Sequence, residues 1–305
     1  MKNFERIEQN ETREGSEKVL LKVLLQRHGP KLSASGEKDE TALYFGASVE
    51  QGFDDMDIKD GKGLVHISSS PVKRAVDTAN IELEKISASE HRHKSRISKQ
   101  EKLATPFQQS KETDDEGKKK YTHDLELIVE MQKNLESSAR EKVENEHLNF
   151  TPEEKESEVR NLIDMQVLNV LFDNEEAKKQ GIQTSYEEMA DNLGQRYGGF
   201  LKHTKLLNSM KEKSSLQPEN EPYTQIDISH SFPIMSFLKK FLVFSDGTIA
   251  KDLSPQDFFD KIGGVIRESD SLELDYESEG DNYIIRAKGS FTPPKKFSGQ
   301  LNLNQ

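Results

Sequence analysis

Val19-Leu20-Leu21-Lys22-Val23-Leu24-Leu25, followed at once by Gln26, Arg27-His28-Gly29 and Pro30, is the stretch whose reading decides the fold. A short run dominated by Val and Leu and bounded by Gly and Pro reads as a strand buried on both faces. The Arg-His pair therefore sits where a central strand opens into a loop. In open α/β sheets ligands collect in the crevice outside the carboxyl ends of the strands. A guanidinium beside an imidazole at that place points to chemistry on an anion, with phosphate the best match.

Two further segments repeat the arrangement. Leu64-Val65-His66-Ile67 is a second short apolar run, and it leads into Ser68-Ser69-Ser70-Pro71-Val72-Lys73-Arg74-Ala75-Val76-Asp77-Thr78-Ala79. From Ala75 to Ile86 the apolar spacing is helical, which puts Arg74 in or beside a first helical turn, where backbone N–H groups favour anions. Ile226-Asp227-Ile228-Ser229-His230-Ser231-Phe232-Pro233-Ile234 gives a third strand end in histidine, followed by a helix-like run from Phe232 to Val243. Three strand ends thus each deliver a cationic or imidazole side chain.

Taken together, these segments resemble the histidine phosphatase superfamily, also called phosphoglycerate mutase-like. Its signature is Arg-His-Gly after the first strand, Ser-Ser-Pro-x-x-Arg-Ala-x-x-Thr-Ala after the second, and a late strand ending in His. All three occur here in that order, and the second is the most specific, with Ser69-Ser70-Pro71, Arg74-Ala75 and Thr78-Ala79 in frame. The resemblance implies an α/β three-layer sandwich with a mostly parallel central sheet flanked by helices. It also implies a phosphomonoester hydrolase in which His28 is the nucleophile, Arg27 and Arg74 clamp the phosphoryl oxygens, and His230 completes the cage. The substrate would be a small phosphorylated molecule, with no metal and no cofactor. Three other readings stay open: a catalytically silent phosphate-binding module, a phosphoglycerate mutase and a phosphoprotein phosphatase.

One part of the family's machinery is missing. A carboxylic acid usually protonates the leaving oxygen, in one branch from a Leu-x-Glu context after the second motif. Here Leu103-Ala104-Thr105 puts Thr105 at that place. In another branch an acid follows the late histidine, where this chain has Ser231 and Phe232. By position alone Glu101, Asp114, Asp115 and Glu116 are substitutes. Lys31 and Lys73 could steer anions, but solvated surface lysines explain them better. His91 and His93 alternate without a carboxylate frame, which makes a poor metal site.

Composition bounds the rest. The chain has 305 residues, enough to bury a substantial core, in one large domain with an insertion or equally in two domains. A net charge of -12 argues against general affinity for nucleic acid. There is no cysteine, hence no disulfide framework and no thiolate metal site. No apolar stretch approaches a membrane span and the first residues lack the apolar core of a secretory signal, so a cytoplasmic location is expected.

Along the chain, 1-17 reads as a flexible lead-in, 18-292 as a single domain with a helical cap insertion at about 87-220, and 293-305 as a loose tail. A helix is expected to open near Ser35, and the charged segment 87-122 reads as a loop or mobile cap. Helices are expected from Asp124 to about Asn145, from Thr151 as N-cap through Leu171, and from Ser185 (with Glu188 completing a capping box) toward Leu207. Ser254 opens another that stops at Gly263-Gly264. Leu272 to Tyr276 and Tyr283 to Ala287 read as the arms of a hairpin.

Overall fold

The computed structural model describes residues 18–29, 64–87, 92–93, 97–105, 123–213, 223–279, 282–292 and 295–303. The expected lead-in, the helix near Ser35 and most of the segment 87-122 lie outside them. In chain order the elements begin with β1 (Lys18–Arg27), β2 (Leu64–Ser69), α1 (Lys73–Ser87), β3 (Arg92–His93), β4 (Ser98–Lys99) and a 3-10 turn at Glu101–Leu103. There follow α2 (His123–Glu146), α3 (Pro152–Phe172), α4 (Asn174–Lys179), α5 (Tyr186–Lys213), β5 (Tyr223–Ser229) and α6 (Ser231–Phe241). The last part holds β6 (Leu242–Phe244), α7 (Pro255–Ile262), β7 (Ser271–Glu279), β8 (Asn282–Thr292) and β9 (Lys295–Leu301).

The strands form one sheet in the order β3-β2-β5-β1-β7-β8-β9-β6, with β4 also on β2. Parallel pairing joins β1, β5, β2 and the two short strands. From β1 onward through β7, β8, β9 and β6 the pairing is antiparallel. The sheet is thus mixed rather than mostly parallel. The reason is connectivity: only two residues separate β7 from β8, and strands joined so closely can only run antiparallel, whereas β2 and β5 are far apart in the chain with helices between them.

Alternation along β1 sorts its side chains between two cores. Leu24 packs with Val65, Ile67, Ile226 and Ile228 under Ala75, Ala79 and Ile86 of α1. Leu21, Val23 and Leu25 face the larger core, built with α2, α3, α5, α6 and α7. Helices therefore cover both faces, which is why β1 can be apolar at nearly every position.

Local signals fix the helix boundaries. Thr151 accepts from the Glu154 amide at 3.2 Å while the Glu154 carboxylate accepts from the Thr151 amide at 2.7 Å, a complete capping box ahead of α3. Ser185 accepts from the Glu188 amide at 3.2 Å, and Ser254 from that of Asp257 at 3.1 Å. Gly263 ends α7 in the left-handed region (φ 86°), where a Cβ would clash.

The tail is not loose. Most of it is β9, inserted between β8 and β6, with Phe297 and Leu301 buried. Gly299 makes this possible, because a Cβ there would collide with the Val243 carbonyl oxygen.

Candidate functional site

Register assembles the site. Arg27 stands opposite Ser229, and Ser69 opposite Ile228, so the three parallel strands end at one level. The next residues continue the pairing: the His28 amide donates to the Ser229 carbonyl at 3.0 Å, and the Ser70 amide to that of Ile228 at 2.9 Å. His28, Ser70 and His230 thus emerge side by side at the carboxyl edge of the sheet. Arg74 joins them from the first turn of α1.

The four side chains singled out in the sequence come together in space. The rings of His28 and His230 lie 5.1 Å apart, edge to face at 62°. Arg74 Nη2 is 3.4 Å from His230 Nδ1, and His230 Nε2 is 2.9 Å from Ser70 Oγ. Because a guanidinium can only donate, His230 Nδ1 accepts and its proton sits on Nε2, donated to Ser70. His28 Nδ1 lies 2.7 Å from the Gly29 carbonyl oxygen, which can only accept. That contact places the proton on Nδ1 and leaves the lone pair on Nε2.

Electrostatics keep His28 neutral. Burial comes first, then the neighbouring Arg74, His230 and Arg27, and together they hold its pKa well below the usual histidine value against an opposing pull from the Gly29 hydrogen bond. An imidazole that stays unprotonated at neutral pH can act as a nucleophile.

Arg27 is anchored from the side of the larger core. Its Nη1 donates to the Ile266 carbonyl at 2.8 Å, and its Nη2 lies 3.0 Å from Asp164 Oδ2 on α3. Each terminal nitrogen retains a second N–H. The loop after α7 locks the strand end: the Arg27 amide donates to the Asp270 carbonyl at 2.9 Å, and the Ser269 amide reaches the carbonyls of Arg27 and His28 at 3.2 and 3.3 Å. Ser269 takes a left-handed backbone (φ 68°) to do so, an uncommon conformation for a residue with a Cβ.

Several residues quoted in the second motif acquire parts. Thr78 Oγ1 donates to the Arg74 carbonyl at 2.9 Å and accepts from the Gly29 amide at 3.0 Å, tying the turn after His28 to α1. Ser70 Oγ holds His230 and accepts from the Val72 amide at 3.3 Å. Ser231 opens α6, and its buried hydroxyl has no hydrogen-bond partner among the described residues.

The remaining candidates fare differently. Lys73 pairs with Asp77 at 3.5 Å on an exposed face, a solvated (i, i+4) pair. Glu101 is exposed on the 3-10 turn, while Thr105 is buried just beyond it. Lys31, His91, Asp114, Asp115 and Glu116 lie outside the described residues. No group of three or more His, Cys, Asp or Glu able to hold a metal occurs among the described residues. None of the described helices is long and apolar enough to cross a membrane.

Asp164 is what the sequence reading missed. It sits inside the most apolar part of α3, between Ile163 and Met165, and is 7% exposed. A single acid within an apolar helical run was the available signal, since a buried carboxylate requires a partner.

No protein-family model matches the chain, and no curated protein matches it. Among solved structures, a mycobacterial glucosyl-3-phosphoglycerate phosphatase, in a complex with VO3, is similar at 13% identity over 87% of this chain and 96% of that one, with a TM-score of 0.39. A phosphoglycerate mutase from Plasmodium falciparum is similar at 15% identity over 92% and 97%, with a TM-score of 0.31. A mycobacterial hydrolase gives 12% identity over 92% and 88%, with a TM-score of 0.28. At these values none of them assigns a role to a residue of this chain.

Proposed function

We propose that the chain is a phosphomonoester hydrolase of the histidine phosphatase type, acting on a small phosphorylated substrate through a phosphohistidine. The observation that carries this reading is the state of His28, a neutral ring with its lone pair on Nε2, beside a second histidine and a guanidinium. In the first step the Nε2 lone pair forms the N–P bond as the bond to the ester oxygen breaks. In the second, water displaces His28 and releases phosphate.

Arg74 supplies paired N–H donors for the non-bridging oxygens, a task suited to guanidinium because its fork matches the tetrahedral anion. Arg27 offers the second N–H of each terminal nitrogen, held in place by Ile266 and Asp164. His230, its ring 5.1 Å from that of His28, completes the cage around the transferring group. Preorganised donors of this kind each lower a barrier by about 3–4 kcal/mol. The site is a local concentration of positive charge in a chain of net charge -12, which selects a small anion over a polyanion.

Turnover of p-nitrophenyl phosphate by the wild type and by His28→Ala is the test. Wild type is expected to turn over and to yield an acid-labile phosphoenzyme, and His28→Ala to do neither. A wild type that binds tungstate but shows no turnover favours the silent phosphate-binding module instead.

A further inference from the structure

We propose that Asp164 is the proton partner of this site: displaced from Arg27 when a phosphoryl group arrives, it takes up a proton and passes it to the leaving ester oxygen. This rests on the hydrolase reading above.

Geometry is the first support. Asp164 Oδ2 lies 3.0 Å from Arg27 Nη2, a buried ion pair in which the guanidinium is the counter-charge of the carboxylate. A dianion on Arg27 competes for that guanidinium and sets two negative groups against one another. Like charges sharing one buried cation cannot both persist, and the weaker claimant takes a proton. A carboxylate buried with its counter-charge withdrawn is that claimant.

The surroundings favour the same outcome. From β1 it faces Arg27; Arg74 on α1 adds a weaker positive field, and Glu268 in the loop after α7 a negative one. Arg160, one turn before it on α3, is turned away to Glu268 at 3.1 Å, and Arg267 is held by Glu158 at 2.9 Å. Asp270, in the same loop, has its carboxylate on the Arg267 amide at 2.9 Å. Arg27 is thus the cation on which Asp164 depends. Burial raises the Asp164 pKa even with Arg27 beside it, and drawing Arg27 toward a dianion raises it further.

The proton balance closes. As the N–P bond forms at His28, the P–O electron pair moves to the ester oxygen, which takes the Asp164 proton and departs as an alcohol. Asp164, now a carboxylate, accepts a proton from the water that attacks phosphohistidine, which restores the acid. Such an acid also removes the puzzle of Thr105, since a donor from α3 makes one at that position unnecessary.

Two measurements test this. Calorimetry of tungstate binding near neutral pH, in buffers of different ionisation heat, counts protons taken up. Wild type is expected to take up more than Asp164→Asn, the difference approaching one proton, with tungstate bound at least as tightly by the variant. In turnover, Asp164→Asn is expected to lose about a hundredfold to ten-thousandfold on an alkyl phosphate and far less on p-nitrophenyl phosphate, whose leaving group needs no proton. Equal proton uptake by the two proteins overturns the proposal alone. So does an equal loss on both substrates with weakened tungstate binding, which would mark Asp164 as a positioning residue for Arg27. Failure of wild type to bind tungstate at all overturns the hydrolase reading and this proposal with it.

Discussion

Replacing Glu82 by Gln should stabilise the protein at alkaline pH and leave it nearly unchanged in acid. Glu82 lies on the face of α1 turned toward the sheet and is 1% exposed. Its Oε1 accepts a long hydrogen bond from Gln26 Nε2, at 3.5 Å, and its Oε2 has no hydrogen-bond partner among the described residues. Burial, only partly offset by Lys85 and Gln26, pushes its pKa from an ordinary 4.5 up to about 7. A raised carboxylate pKa means that the folded state holds its proton more tightly than the unfolded state does. The cost is absent below 4.5, where both states are protonated, and complete above about 7. At about 1.4 kcal/mol per pH unit the full penalty is about 3 kcal/mol. Gln keeps the carbonyl that Gln26 bonds and carries no charge. Urea unfolding at about pH 5 and about pH 8 should show the variant's advantage growing by about 2–3 kcal/mol between them. The shared contribution of His28 cancels in that difference. Parallel stability curves for the two proteins, or a variant less stable at the higher pH, would refute the reasoning.

Two further outcomes follow from packing. Arg196 on α5 grips Asp227 through two bonds of 2.6 and 2.7 Å, and Asp227 is fully buried. Arg196→Met should therefore cost about 3–5 kcal/mol in urea unfolding, because it leaves the buried Asp227 charge unpaired; a loss below about 1 kcal/mol would contradict this. Gly299→Ala sets a methyl against the Val243 carbonyl and within 3.0 Å of the Phe244 Cα, which should lower stability by about 1–3 kcal/mol in the same assay, whereas a neutral result would mean that β6 can shift aside.

Local chemistry made much of the architecture readable in advance. The arms of the β7–β8 hairpin alternate, Thr151 and Glu154 announce α3, and Gly263 marks the end of α7. Strand direction in the far half of the sheet was another matter, because it depends on which strands pair. The tail carries its own signal: Phe297, Gly299 and Leu301 alternate with exposed Lys296, Ser298 and Gln300, the period-2 pattern of a strand. In the candidate site, Arg27, His28, Arg74 and His230 are named by three motifs that follow strand-like runs. Asp164 is not, since its partner lies on β1 and helix pattern alone does not say which face of α3 meets it. Arg196 and Asp227 escaped notice for a like reason, their pairing being long-range.

The position of β1 within the sheet also shapes how the chain must be made. It is the first described strand, yet both of its neighbours, β5 and β7, come from the C-terminal third. Ribosomes add about 5–20 residues per second. Val19 to Leu25, the greasiest stretch near the start, therefore waits roughly 10–40 s for a mate while some 200 residues are added. Such a nascent polypeptide is a natural client for holding chaperones until β5 and β7 have been made.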